Sequence, residues 1–252
     1  MDLVILYFVA VGFLAQMIDG ALGMGYGVIS TTFLLGIGIP PAAASANVHT
    51  AEIFTTAASG LSHFRFGNVQ KDLFLRLLIP GIVGGVLGAT ILSRLPGEKI
   101  KPFVALYLLI MGFVILWKAS RHIRQGKVTT HLIPLGAVGG FFDAIGGGGW
   151  GPIVTSTIVA RGHDPRLTIG SVNAAEFFVT VAQVATFALS LATFHWQIIA
   201  GLLIGGVAAA PLAAFLCRKI PTRLLMIMVG VLIVILSVRT IYLALPERWI
   251  GG

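Results

Sequence analysis

The chain has 252 residues, 57% of them apolar and only 10% charged, with a mean hydropathy of +0.97. A soluble domain covers its surface with roughly 25% charged residues, so the composition excludes a soluble enzyme, a nucleic-acid-binding module and a disulfide-stapled secreted domain. The excess of 17 Lys and Arg over 9 Asp and Glu then reads as basic cytoplasmic loops rather than a nucleic-acid footprint.

At about 20 residues per crossing, the chain reads as an all-α integral membrane protein of about eight to ten transmembrane segments. The first apolar run, from Asp2 to about Ile18, lacks a basic flank and a small-residue cleavage site. It is expected to be a retained helix that stops at Asp19. Apolar stretches follow near 20–39, 42–63, 73–93 and 103–118, then near 131–145, 150–160, 166–194, 196–217 and 222–245. Connections bearing Pro40-Pro41, Pro96-Gly97, Asp164-Pro165 and Pro221 separate them. The stretches 20–39 and 150–160 are interrupted by glycine or too short for an ordinary span. The single cysteine, Cys217, has no partner for an internal disulfide and none of the neighbours of a zinc or thiol-redox site.

The chain repeats itself at an offset of 124. Residues 12–56 and 136–180 align without a gap and share fourteen identities in 45 positions. Among these are Gly12/Gly136, Asp19/Asp143, Gly23/Gly147, Gly25/Gly149, Gly27/Gly151, Gly38/Gly162, Pro41/Pro165, Glu52/Glu176 and Thr56/Thr180. We read an N-terminal repeat over 1–117, a basic cytoplasmic linker over 118–131 and a C-terminal repeat over 132–252. With ten segments and an outside N-terminus, twelve Lys and Arg fall on or near the cytoplasmic side and five outside, the bias expected of such proteins. Re-entrant stretches at 20–39 and 150–160 would leave eight spans and a nearly even split. Five segments per half places the halves in inverted orientation, a plan common among secondary transporters.

Five of the nine acidic residues lie at ends or connections. The other four, Asp19, Glu52, Asp143 and Glu176, lie within or at the break of apolar segments. There a charge costs about 2.5–3.5 kcal/mol on insertion scales. Such an acid can cap a broken helix or pair with an arginine, but a duplicated set of four points to function. Glu52 and Glu176 each follow a helix-starting proline by eleven residues. That is roughly 16 Å along a helix, near the midplane of a core about 30 Å thick. His49, Glu52 and Thr56 share a face, as do Asn173, Glu176 and Thr180. A glutamate at that depth is a candidate proton carrier. Asn173 stands where the first copy has His49, so the two halves need not be chemically equal.

Two glycine runs precede these helices, Gly20–Gly27 and Gly146–Gly151. Four consecutive glycines make poor helix, so each run is expected to unwind. Its free backbone N–H groups, followed by a half-helix, would attract an anion. Close helix packing is the better reading for Gly81/Gly85, Gly84/Gly88 and Gly201/Gly205. Tyr26 and Trp150 match as aromatics and suit closure of a site or core packing equally. The histidines at connections lack metal-ligand spacing, and no phosphate-binding loop or nucleophile elbow occurs. The chain is therefore expected to be neither an enzyme nor a metal or cofactor protein.

The duplicated order of glycine-rich break, short apolar segment, proline and Glu-bearing helix resembles the TauE/SafE family of sulfite exporters. The likeness is clearest at 139–152 and at Ser171-Val-Asn-Ala-Ala-Glu176. Met24, Tyr26 and Val28 depart from the pattern in the first copy. The resemblance implies transport of sulfite, an organosulfonate or a related small sulfur-containing anion across the bacterial inner membrane. On this reading the partners are that anion and membrane lipid, with no nucleic acid and a homo-oligomer left open.

The substrate is expected at the repeat interface near the midplane. Gly23, Gly25, Tyr26, Gly27, Gly147, Gly148, Gly149 and Trp150 would hold it, with polar contacts from Asn47, His49, Ser171 and Asn173. Glu52 and Glu176 would handle protons or orient the site, and Asp19 and Asp143 would secure the broken segments. A passive anion channel is the alternative, and a membrane-embedded enzyme a more distant one.

Overall fold

The computed structural model describes residues 3–22, 24–120, 131–190, 194–216 and 222–244. The expectations for Asp2, Gly23, Cys217, Pro221 and most of the basic linker fall outside these residues. All regular structure among the described residues is helical. The first half contains α1 (Leu3–Leu22), α2 (Tyr26–Gly36), α3 (Pro41–Arg65), α4 (Lys71–Arg94) and α5 (Gly97–Ala119). The second contains α6 (Leu132–Gly146), α7, α8 (Pro165–Ser190), α9 (Trp196–Leu216) and α10 (Thr222–Ala244). Within α7, a π-helical turn over Gly151–Thr155 continues as α-helix over Ser156–Ala160.

The repeat has a local structural cause. Gly38 and Gly162 both adopt positive φ, at 96° and 90°. Each closes the preceding helix with the same pair of bonds. Gly38 and Ile39 donate to the carbonyls of Leu35 and Leu34, and Gly162 and His163 to those of Val159 and Ile158. Pro41 and Pro165 then open the next helix, where their missing N–H leaves nothing unsatisfied. Asp164 caps α8, its Oδ1 accepting from the Leu167 N–H at 3.0 Å.

The first helix runs further than its hydrophobic pattern suggests. It ends at Leu22 rather than at Asp19, which therefore sits in the last turn of α1. Gly20, Ala21 and Leu22 remain helical, and Gly25, just before α2, takes a φ of 135°.

The halves interlock. α1 lies along α9, α4 along α6, α5 along α10 and α3 along α8. Exchanging the halves leaves this pairing unchanged. Small residues bring the partners close, as membrane helices require. An added Cβ would meet Leu202 backbone at 2.4 Å from Gly12, the Val9 carbonyl at 2.0 Å from Gly205 and the Ala137 carbonyl at 2.0 Å from Gly84.

The polarity is that of a protein facing lipid. Ser45, Asn47, His49, Glu52, Asp143, Ser171 and Gln183 are buried, while Phe64, Ile79, Phe103 and Leu189 are exposed. Three helices, Lys71–Arg94, Lys99–Ala119 and Leu167–Ser190, are long and apolar enough to cross a membrane, and five shorter apolar helices accompany them.

Candidate functional site

α1 and α6 end within three residues of a glycine of positive φ, Gly25 and Gly147, and the chain re-enters a helix at Tyr26 and Trp150. The two turns meet in the middle of the molecule. A Cβ on Gly27 would lie 2.5 Å from the Gly148 Cα, and one on Gly148 would lie 2.2 Å from the Gly27 carbonyl carbon. Thr31 Oγ1 donates to the Gly147 carbonyl at 2.7 Å and ties the turns together.

Each of the four consecutive glycines answers to a close neighbour. The Tyr107 ring crowds Gly146, Thr31 crowds Gly147, the Gly27 backbone crowds Gly148, and the Tyr107 hydroxyl crowds Gly149. Gly147 and Gly148 also take φ values of 65° and 151°.

A small cavity lies between the turns. Its lining is Asp19, Met24, Gly25, Gly27, Val28 and Glu52 from the first half, and Asp143, Gly148, Gly149, Gly151, Pro152 and Glu176 from the second. These twelve residues form six pairs, each separated by the repeat offset: 143 − 19, 148 − 24, 149 − 25, 151 − 27, 152 − 28 and 176 − 52 all equal 124. The cavity therefore sits where the two copies face one another, and all four intramembrane acids reach it. Among the described residues no Lys or Arg lines it. Its volume is about 10 Å³, about the space that one water requires, so admitting an anion of several heavy atoms requires the turns to part.

The aspartates cap the helices that follow the turns. Asp143 Oδ1 accepts from the N–H groups of Gly149 at 2.7 Å and Trp150 at 2.9 Å. Asp19 Oδ1 accepts from the equivalent Tyr26 N–H at 3.3 Å. Gly149, Tyr26 and Trp150, expected to hold an anion, have these N–H groups engaged within the chain in this structure. Their N–H groups point at the chain's own carboxylates, because an aspartate in the last turn of the preceding helix reaches across a sharp turn.

Asp143 is held further by a second set of partners. Its Oδ2 lies 3.1 Å from His49 Nε2 and accepts from Gln183 Nε2 at 3.0 Å. His49 Nδ1 lies 2.7 Å from the Ser45 carbonyl, an oxygen that can only accept. Both ring nitrogens thus face acceptors, and the pair is an imidazolium against a carboxylate. The equivalent of His49 is Asn173 and that of Gln183 is Ser59. There Asn173 Nδ2 donates to Ser59 Oγ at 2.8 Å instead. Asp143 is consequently fixed by side chains from α3 and α8, while Asp19 has, among the described residues, one long bond, to Tyr26.

The structure gives several predicted site residues other work. Tyr26 and Trp150 are fully buried, and their polar tips bond backbone carbonyls of Leu202 (3.0 Å) and Val172 (3.2 Å). Asn47 Oδ1 accepts from the His195 N–H at 2.9 Å, and Ser171 Oγ from the Gln70 N–H at 2.8 Å. Asn47 and Ser171 are repeat equivalents, and each pins the start of a helix in the opposite half, α9 or α4. Asn47, His49, Ser171 and Asn173 do not line the cavity. The position of each on a polar helix face was legible, but not the neighbour it would meet.

Sequence reasoning missed Gln183 and Tyr107. Gln183 had a signal, for it lies seven residues beyond Glu176 on the same helix face. Tyr107 had none, since its equivalent in the second half is Val231 and it reaches the glycine turn only through the packing of α5.

The family model described as Sulfite exporter TauE/SafE matches residues 8–240. The chain is 44% identical over 258 aligned residues to the "Probable membrane transporter protein YtnM" of Bacillus subtilis (strain 168), covering 98% of this chain and 85% of that protein. It is 28% identical over 143 residues to the "Probable membrane transporter protein ORF9" of Sinorhizobium sp, covering 55% of this chain and 54% of that protein. No solved structure matches.

Proposed function

From the premise that the chain belongs to the TauE/SafE sulfite exporter family, we propose that it is a proton-coupled secondary transporter of sulfite, an organosulfonate or a related small anion. The observation that carries this reading is the cavity made of six repeat-related pairs and bearing all four intramembrane acids. Substrate binds there, near the midplane of the bacterial inner membrane, with the halves 1–117 and 132–252 inverted about it and joined by the linker 118–131. Glu52 and Glu176 carry protons. Alternating access follows from parting the two glycine turns on one side and then the other.

The cavity's small volume favours a transporter over a passive channel, since a channel keeps a continuous path open. Both relatives are named probable membrane transporter proteins, in keeping with a non-enzymatic role.

Flux of sulfite and of taurine into proteoliposomes tests the reading. The Glu52→Gln/Glu176→Gln double variant is expected to lose at least about tenfold of proton-driven flux, the scale of a single coupling free energy. Undiminished flux that still follows a pH gradient would remove the glutamates from the mechanism.

A further inference from the structure

An anion in this cavity meets an electrostatic difficulty. Four carboxyl groups reach it, no Lys or Arg among the described residues lines it, and the cation beside it, His49, is engaged with Asp143 at 3.1 Å. The helix N-terminus of α2 does attract negative charge, but Asp19 already occupies that place through the Tyr26 N–H. Glu52 is 5% exposed, faces the cavity, and its Oε2 has no hydrogen-bond partner.

We propose that Asp19 is a resident surrogate for the transported anion, and that the anion takes its place only when protons neutralise Asp19, Glu52 and Glu176, so that proton and anion cross in the same direction. This rests on the anion-transport reading above.

Ionisable groups from four helices surround Glu52. Asp19 comes from α1, His49 from its own helix α3, Asp143 from α6 and Glu176 from α8. Tyr107 of α5 stands over the Gly149 turn. His49 lies 3.1 Å from Asp143 and 4.0 Å from Glu52, but a single imidazolium offsets one negative charge of the four, and three remain. An anion added to three like charges is repelled, and each proton added first removes one of those charges. Binding free energies are reciprocal, so a proton that favours the anion is itself favoured by the anion. Both ligands then load together and leave together.

The asymmetry of the two halves selects the residue that yields. Asp143 has four N–H partners on its two oxygens and stays in place. Asp19 has one partner among the described residues, at 3.3 Å, and protonation weakens that bond and frees the Tyr26 N–H for the incoming anion. Where protons are drawn inward across the membrane, co-transport in this sense accumulates the anion inside, opposite to the direction in the family's name.

The test uses the full chain in liposomes with a pH-sensitive dye in the lumen and the membrane potential clamped at zero. Ethanesulfonate is the probe, because it carries no titratable group near neutrality and cannot itself ferry protons. An inward ethanesulfonate gradient is expected to acidify the lumen, and lowering the pH is expected to raise apparent affinity about 5- to 150-fold. Lumenal alkalinisation, or ethanesulfonate entry without a pH change, would overturn the inference and leave anion transport standing. No entry of ethanesulfonate, taurine or sulfite at acidic, neutral or alkaline pH would overturn both.

Asp19→Asn, checked for folding by its melting temperature, is expected to admit ethanesulfonate while moving fewer protons per anion. An unchanged proton-to-anion ratio in this variant would overturn the role given to Asp19. If the variant does not fold, the sign of the proton movement in the unaltered chain still decides the proposal.

Discussion

Gly148→Ala is expected to lower stability by about 2–6 kcal/mol and to abolish flux. Two costs combine at this position. A non-glycine residue at a φ of 151° is strained by about 1–3 kcal/mol, and overpacking adds about 1–3 kcal/mol. The atoms that the new Cβ would meet, at 2.2 Å, are the Gly27 carbonyl carbon and the Val28 nitrogen, and backbone cannot swing aside as a side chain can.

Two companion variants separate these costs. Gly25→Ala meets only the ends of Ile18 and Ile29 at 3.6 Å but sits at a φ of 135°, so it carries the conformational strain alone. Gly27→Ala has no positive φ but meets the Gly148 Cα at 2.5 Å, so it carries the overpacking alone. Melting temperatures in detergent should rank Gly148→Ala below both. A Gly148→Ala protein as stable as Gly25→Ala would show that the two turns do not touch.

His49→Ala is the second large effect, an expected loss of about 3–5 kcal/mol. Removing one partner of a buried ion pair leaves the other charge uncompensated, and this pair joins α3 of one half to α6 of the other. Asp143→Asn should cost less. Its side-chain oxygen still accepts from Gly149 and Trp150, and its amide can donate to a neutral imidazole once Gln183 turns to present its own oxygen.

The double variant His49→Ala/Asp143→Asn is expected to be more stable than His49→Ala alone, because the second change removes the orphaned charge. A favourable coupling of about 0.5–3 kcal/mol in the double-mutant cycle would register the contact. Simple additivity of the two losses would show that the pair does not form.

These expectations show how far the sequence reached. The offset of 124 carried the architecture, because Gly38/Gly162 and Pro41/Pro165 encode a helix stop and a helix start that depend on local backbone alone. The same offset isolated Asp19, Glu52, Asp143 and Glu176, because an acid in an apolar segment is costly and a repeat that keeps it twice is informative. Those four acids and Gly25, Gly27, Gly148, Gly149 and Gly151 converge on one cavity.

Where the reading from sequence stopped, the missing quantity was the identity of the neighbour. Helical periodicity placed Asn47 and Ser171 on a polar face, yet each bonds the opposite half's backbone at the start of a helix. The glycine turns offered N–H groups suited to an anion, yet Asp19 and Asp143 bend back to take them. Gln183 and Tyr107 approach the site from α8 and α5 through packing that the spacing of residues along one chain does not encode.

The sequence by itself determined that the chain is a membrane protein with a repeat at an offset of 124, that a helix stops and another starts at Gly38/Gly162 and Pro41/Pro165, and which acids lie within apolar segments. Each of these follows from composition, backbone preference or repetition, which are local properties. Only the tertiary structure decided that the two turns touch at Gly27 and Gly148, that His49 belongs to Asp143 rather than to the cavity wall, and that Asp143 is fixed while Asp19 is loosely held. Those outcomes depend on which helices pack together, and there a single methyl group or proton changes the result.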